Sequence, residues 1–340
     1  MSEVLAMRGN DAVEALLERA SPRPAPPTED QRIAREAVFE EWQATTGRIK
    51  RRRRLTQFAI AASVLLAVVV SFNALQVSNL RPVQVATIDN DRGSIYLVGE
   101  QSLMQEASDL SSVYAGQIIE TGDDSGLSLE WATGGSLRLD SKTRIEFESA
   151  DSVFLRFGQV YFDSGSETVA AVAHVAGSGL KINTDYGLVQ HLGTQYMTTI
   201  DGRDLVVRVR EGRVSVDGNF VDQATAIAGQ QMTLSGGARP GVLAIDRFGD
   251  VWAWAEAIAP TVNMDGKSTL EFLTRISRET GLMLEFETPE AEAAAQAGEL
   301  YGTIDADPHS ELEIRMAGED LGYRIEGGTI YVGIDSGSRQ

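Results

Sequence analysis

The chain has 340 residues and a formal net charge of −19 at pH 7, so it is longer than one typical domain and strongly acidic. Residues 1–54 carry 11 Lys and Arg against 9 Asp and Glu, whereas the rest of the chain carries 19 against 40. An acidic surface repels phosphate, which disfavours direct nucleic-acid binding by this larger part. The absence of cysteine excludes disulfides, thiolate metal sites and cysteine nucleophiles.

Two short amphipathic helices are predicted in residues 1–54. The first has apolar residues at i, i+3, i+4 and i+7 between residues 13 and 20, and the proline-rich residues 21–27 end it. The second begins at Thr28, whose spacing to Gln31 matches a capping box. Helices this short bury little surface, so we expect their apolar stripes to contact each other, a second copy or a different protein. The candidate partner-binding residues are Leu16, Leu17, Val38, Phe39 and Trp42.

A membrane-spanning helix is predicted within residues 55–80. Residues 58–75 contain no charge, and a helix of this length would be about 27 Å long, close to the hydrocarbon thickness of a bilayer. A cleaved signal peptide is disfavoured because about 55 residues precede the apolar stretch. By the positive-inside rule, the basic residues in front of it place residues 1–54 in the cytoplasm and residues 76–340 outside. These topogenic residues, which could alternatively form a nucleic-acid patch, are Arg48, Lys50, Arg51, Arg52, Arg53 and Arg54.

The region after the span is predicted to be mainly β. Residues 83–243 alternate apolar and polar side chains between Gly- and Asp-containing turns, which indicates an all-β domain, either a sandwich or a solenoid. Residues 249–260 return to helical spacing, with Trp254 on the apolar stripe and Trp252 more open. Residues 261–335 indicate a small α+β domain: a helix capped by Ser268, a polar separating stretch at 288–299, a further short helix, and a hairpin that turns at residues 327–328.

Several motifs between residues 114 and 230 resemble the FecR family of transmembrane regulators. The most specific are Leu192-Gly193-Thr194 and Glu211-Gly212 followed by Val214. The matching segments are residues 114–122, 136–140 with Thr143, 158–162, 192–196, 207–216 and 228–230. The terminal α+β unit is similar to the short N-terminal domain of secretins and TonB-dependent receptors, although Arg315 stands where that pattern prefers an apolar residue.

The resemblance implies a signal relay. In that family the outer region receives a signal from the signalling domain of a TonB-dependent outer-membrane receptor, and the cytoplasmic tail controls an extracytoplasmic-function sigma factor as an anti-sigma or sigma regulator. The tail here, with two helices in 54 residues, is shorter than the better-known sigma-binding tails of the family. The resemblance also implies the bacterial inner membrane as the location, with the region after the span in the periplasm.

No residue pattern in the sequence predicts catalysis, a cofactor or a metal site. The three histidines, His174, His191 and His309, do not have metal-ligand spacing. The sequence therefore predicts a protein that is not an enzyme. The competing hypothesis is a membrane-anchored periplasmic protein that binds a ligand or glycan, whose tail serves only to fix topology.

Overall fold

A computed structural model describes residues 27–33, 35–40, 82–99, 103–107, 110–165, 179–218, 221–236, 239–317 and 320–335. Residues 28–33 and 35–40 are helical, as the sequence predicts, and every residue among them is exposed. Within the described ranges, no helix combines the length and the apolar character needed to cross a membrane. The predicted span at residues 55–80 lies outside those ranges.

Residues 84–244 form 15 strands joined in one hydrogen-bonded network. The strands are β1 (Gln84–Arg92), β2 (Ile95–Val98), β3 (Met104–Glu106), β4 (Ser112–Tyr114), β5 (Ile118–Thr121), β6 (Gly126–Trp131), β7 (Ser136–Leu139), β8 (Arg144–Ser149), β9 (Ser152–Asp163), β10 (Lys181–Thr184), β11 (Gly187–Asp201), β12 (Asp204–Gly218), β13 (Val221–Ile227), β14 (Gln230–Ser235) and β15 (Gly241–Ala244). This all-β region confirms the prediction of a mainly β chain.

The network folds into a two-layer sandwich because its three long strands change partners halfway along. The first half of β9 pairs with β8 and β10, and its second half pairs with β7 and β11. In β12 the change falls at Gly212, which has φ 79°, and a Cβ there would lie 2.2 Å from the Gly193 carbonyl oxygen. The layer containing β1, β6, β7 and β14 thus faces the layer containing β2, β5, β8 and β13.

The sandwich core lies between these two layers. Trp131 of one layer stacks on Phe147 of the other, with ring centroids 6.1 Å apart. Alternate residues of each strand, such as Leu137 and Leu139, point into this core and are fully buried. The sequence left a sandwich and a solenoid open, and the facing layers identify a sandwich.

The segment after the sandwich differs from its prediction. Helix α1 spans only Ala253–Glu256, with turns on either side. Trp252 is fully buried, whereas Trp254 is half-buried and Val251 is exposed. Of the predicted stripe, Ala255 and Ile258 are buried as expected, whereas the prediction was wrong for Val251 and for the Trp252–Trp254 pair, because a helix of one turn does not continue the 3.6-residue period.

The terminal domain has three helices around a separate core. Its helices are α2 (Thr269–Thr280), α3 (Pro289–Ala297) and α4 (Pro308–Met316), and its strands are β16 (Val262–Asn263), β17 (Lys267–Ser268), β18 (Met283–Phe286), β19 (Glu299–Leu300), β20 (Thr303–Ile304), β21 (Leu321–Glu326) and β22 (Thr329–Ile334). Strands β18, β22 and β21 form a sheet in which β18 and β22 are parallel. Phe272, Ile276, Ile330 and Val332 centre the core.

Sequence signals explain most of these boundaries. Ser268 and Glu271 form the predicted capping box, and α2 ends at Gly281 in the left-handed region. The hairpin turns at Gly327 and Gly328 as predicted. The polar stretch at 288–299 is a correction: it contains α3, because Thr288 caps an Ala- and Glu-rich run that has Pro289 at its first position.

Candidate functional site

The outer face of the β7-containing layer carries two arginines that are completely buried. Arg138 lies between the core residues Leu137 and Leu139, so alternation directs its side chain away from the sandwich core. Arg210 lies on β12 beside the core residue Val209. Residues that follow the sandwich cover this face, and both guanidinium groups are therefore withdrawn from water.

Arg210 joins three different segments of the chain. Its Nη2 donates to Glu256 Oε1 over 2.6 Å, and its Nε donates to the Arg247 carbonyl oxygen over 2.8 Å. Its Nη1 donates to the backbone carbonyl of Glu279, at the end of α2. The backbone approaches closely here: a Cβ on Gly281 would lie 2.1 Å from the Arg247 oxygen. Arg210 thus ties the sandwich to α1 and to the terminal domain.

Arg138 forms a second connection of the same kind. Its Nη2 donates to Glu279 Oε2 over 2.7 Å and its Nη1 donates to the Ala255 carbonyl oxygen over 2.7 Å. Burial opposes the charged form of Arg138, but the Glu279 carboxylate outweighs it and the pKa of Arg138 is raised. Both arginines are therefore paired with buried glutamates inside the protein.

Two aromatic rings lie between the arginines. The Tyr161 ring has the Arg138 guanidinium carbon 5.0 Å from its centroid and the Arg210 guanidinium carbon 5.7 Å away. Trp252 meets Tyr161 edge to face and has Arg210 4.5 Å from its ring centroid. Such cation–π contacts add to ion pairing where water is excluded. We call Arg138, Tyr161, Arg210, Trp252, Glu256 and Glu279 the arginine junction.

An ion pair beside the junction links the same two domains. Arg278 of α2 pairs with Asp163 at the end of β9 and lies 3.2 Å from a Glu211 carboxylate oxygen. Gln195 donates to Asp163 over 2.9 Å and to the Arg278 carbonyl oxygen over 3.1 Å. Burial alone would raise the pKa of Asp163, but Arg278 holds this pKa below its usual value.

His309 adds a titratable group at the edge of the junction. Its Nε2 lies 3.5 Å from Glu256 Oε2, the carboxylate that also accepts from Arg210, and its side chain is 53% exposed. The hydrogen bond to Glu256 raises the pKa of His309 above its ordinary value. The imidazole is therefore more readily protonated here than in water.

A cleft of about 710 Å³ lies between the sandwich and the terminal domain. Its sandwich wall includes Glu130, Ser136 and Asp163, and its terminal-domain wall is formed mainly by the exposed side of α2. Asp163, Arg278 and Glu279, which form ion pairs described above, are among its lining residues. The cleft is thus formed by both domains and fixed by their contacts.

Residues 117–215 match the family described as FecR protein. This match lies within the sandwich and covers less than half of the chain, and we call the sandwich the FecR domain after it. Two crystal structures of a candidate anti-sigma factor from Parabacteroides distasonis ATCC 8503, at 2.50 and 1.65 Å resolution, are also similar. Each shares 16% identity with a TM-score of 0.33, and each match covers 64% of this chain and 99% of the other. No curated protein matches the sequence.

Sequence reasoning missed the polar residues that join the FecR domain to the terminal domain. These residues are Arg138, Gln195 and Arg210, and all three fall within segments that resemble the FecR family. Each alternates with core residues along its strand, a pattern that is equally typical of side chains exposed to solvent. One signal in the sequence could have indicated them. Each is an Arg or Gln that lies within a family motif, at a strand position that points away from the core. The terminal domain that covers them comes about 70 residues or more later in the chain, and β-strand periodicity carries no information about such a partner.

The structure describes only two of the residues predicted to bind a partner. Val38 is 69% exposed and Phe39 is 57% exposed. Leu16, Leu17 and Trp42 lie outside the described residues, as do the topogenic residues Arg48, Lys50 and Arg51 to Arg54.

The histidines do not come together in the described part of the chain. His191 packs beside Phe162, with ring centroids 4.9 Å apart, whereas His309 lies at the junction and His174 falls outside the described ranges. Within those ranges no group of three His, Cys, Asp or Glu side chains could hold a metal ion.

Proposed function

We propose that this protein is a single-span signal transducer of the bacterial inner membrane that is not an enzyme. The FecR domain at residues 117–215 is the observation that carries the proposal. The uncharged residues 58–75 and the basic residues before them support a cytoplasmic tail at residues 1–54, with the FecR and terminal domains in the periplasm.

The proposed partners lie on both sides of the membrane. Outside, the signalling domain of a TonB-dependent outer-membrane receptor would bind the periplasmic region. Inside, the tail would bind an extracytoplasmic-function sigma factor through the apolar faces that include Leu17, Val38 and Trp42. The exposure of Val38 is consistent with a surface that another protein covers.

In this proposal the arginine junction couples the FecR domain to the terminal domain, so that a force or displacement on one reaches the other. Buried ion pairs with several hydrogen bonds are costly to break once formed. A partner that binds the terminal domain would therefore act on the FecR domain through Arg138 and Arg210. We propose that the two domains transmit the signal together, as one body.

The cleft favours a second candidate, a membrane-anchored periplasmic binding protein without sigma-factor control. Its volume of about 710 Å³ falls in the range of small-molecule sites, which are often found at domain interfaces. The two candidates share the same membrane topology. They differ in whether residues 1–54 are needed for transcriptional control.

Reporter fusions test the topology on which both candidates depend. A reporter enzyme that is active only outside the cytoplasm should be active when fused after Gln340 and silent when fused at Lys50. Replacing the arginines at 51–54 with glutamate in both fusions provides the matched control, and it should reduce the difference between them. Activity at Lys50 together with silence after Gln340 would contradict both candidates.

A further inference from the structure

The cleft between the FecR and terminal domains has one carboxyl side chain that contacts no polar partner in the described part of the chain. Among its carboxylates, Asp89 accepts from the Thr261 backbone N–H over 2.7 Å, and Asp163 pairs with Arg278. Glu279 pairs with Arg138, and Glu271 accepts from the Ser268 N–H in the capping box. The Glu130 side chain, in contrast, is exposed and makes no hydrogen bond or ion pair with any residue that the structure describes.

The basic groups of the cleft are already used. Arg275 donates to the Pro260 carbonyl oxygen over 2.6 Å and lies 3.4 Å from Glu279. Lys267 lies 3.8 Å from Glu271, its neighbour on the next turn. Among the described residues of the cleft, the carboxylates without a basic partner are therefore Asp89, which Thr261 holds through neutral hydrogen bonds, and Glu130, which has Ser136 directly across the strand pair.

The opposite wall offers apolar surface close to these polar groups. Val262 and Leu270, both half-buried, line the cleft on the side of the terminal domain, whereas Met264 behind them is buried in the terminal-domain core. Exposed parts of valine and leucine side chains are favourable surfaces for an aliphatic chain. A ligand that spans the cleft would therefore meet a carboxylate and a hydroxyl on one wall and an aliphatic surface on the other.

We propose that this cleft is a binding site for a small aliphatic amine. Its ammonium group pairs with Glu130 and donates to Ser136, while its alkyl chain packs on Val262 and Leu270. The site needs both domains, because Glu130 belongs to the FecR domain and the apolar wall to the terminal domain. The proposal does not rest on sigma-factor control and would hold for either candidate function.

Titration calorimetry on the full-length protein in detergent micelles tests this site, with 1,5-diaminopentane as the probe. We expect saturable binding of one diamine per chain, and no binding of the five-carbon diacid glutarate or the isosteric diol 1,5-pentanediol. Glu130→Gln should weaken diamine binding about tenfold or more, since it removes a charge-assisted hydrogen bond. Because Glu130 is exposed, this variant should keep the thermal melting curve of the wild type.

Asp123→Asn is the matched control, because it removes one negative charge from an exposed side chain that does not line the cleft. It should leave diamine affinity unchanged. Equal losses in the two variants would show a general charge effect and overturn the proposal. Absence of saturable diamine binding, or full affinity in Glu130→Gln, would also overturn it. If a lysine-containing peptide binds the protein and the diamine does not, the ligand is not a small molecule and the proposal is also overturned.

Discussion

Arg210 and Glu256 form an ion pair of 2.6 Å in which the side chains are 0% and 7% exposed. One belongs to a sandwich strand and the other to the short helix that follows the sandwich. An exposed pair of this kind contributes little to stability, whereas losing one partner of a buried pair leaves an unpaired charge without water. The attachment of the terminal domain therefore depends on a few charged groups.

Arg210→Met should destabilise the protein by about 3–5 kcal/mol, because Glu256 would remain buried without its partner. Chemical denaturation of the full-length protein in detergent, followed by tryptophan fluorescence, measures this change. Trp252, one of the four tryptophans in the chain, lies against Arg210 and contributes a signal from the junction. The matched control is Arg156→Met, since Arg156 forms an ion pair that is largely exposed and should cost at most about 1 kcal/mol. Equal effects of the two substitutions would contradict the assigned role of Arg210.

The pair of Arg138 and Glu279 should show strong energetic coupling. We expect Arg138→Met and Glu279→Gln each to destabilise the protein, and the double variant to be less destabilised than the sum of the two. The reason is that the second substitution removes the buried charge that the first leaves unpaired. A double-mutant cycle should give a coupling energy of about 1–3 kcal/mol. Additive effects would show that the two side chains do not interact in solution.

Gly281→Ala should loosen the junction more than a comparable glycine substitution elsewhere. Gly281 has φ 71°, and a new Cβ would lie 2.1 Å from the Arg247 carbonyl oxygen and 2.9 Å from Arg210 Nε. Gly266 has φ 73° with no atom near its Cβ position, so Gly266→Ala carries only the conformational cost of about 1 kcal/mol. The melting temperature of Gly281→Ala should therefore be the lower of the two. A reversed order would argue against close packing at this point.

The junction should also respond to protonation of His309. Glu256 raises the pKa of His309 in the folded state. The stabilisation of the fold by protonated His309 is therefore fully present below the unfolded pKa of about 6.5, and it is lost as pH rises through the folded-state pKa. We therefore expect the melting temperature of the wild type to exceed that of His309→Gln near pH 5.5 and to approach it near pH 8.5. The difference should be small because the side chain is 53% exposed. A difference that grows as pH rises would contradict this arrangement.

Local patterns predicted many of the elements. The capping box at Ser268 and the glycine pair at residues 327 and 328 fix a helix start and a hairpin turn through short-range geometry, and both occur where the sequence indicates. The α3 helix was missed because its surface is polar and only Ala291 and Ala295 are buried in it. A helix that buries two small side chains leaves a weak apolar signal.

The junction could not be predicted from sequence for a different reason. Arg138 and Arg210 alternate with core residues, and that pattern is equally consistent with exposed side chains on a half-solvated sheet. Their burial depends on Glu279, which lies 141 residues after Arg138 in the chain. Trp252 shows the same limit, since the sequence placed it on the open side of a helix that the structure shortens to one turn.

The central claim, that residues 1–54 control a sigma factor, is tested most directly by capture of that factor with the full-length protein. We expect the wild type in detergent to retain the extracytoplasmic-function sigma factor from the host cell. The variants Trp42→Ala and Leu17→Asp should retain much less of it, because buried aromatic and aliphatic anchors dominate such interfaces. Thr28→Ser, a conservative change on the same tail, should bind as the wild type does, and all variants should insert equally in the membrane. The account is contradicted if the wild type captures no sigma factor. It is also contradicted if deletion of the residues that precede the basic run at 48–54 leaves sigma-dependent transcription unchanged, because the tail then has no regulatory role.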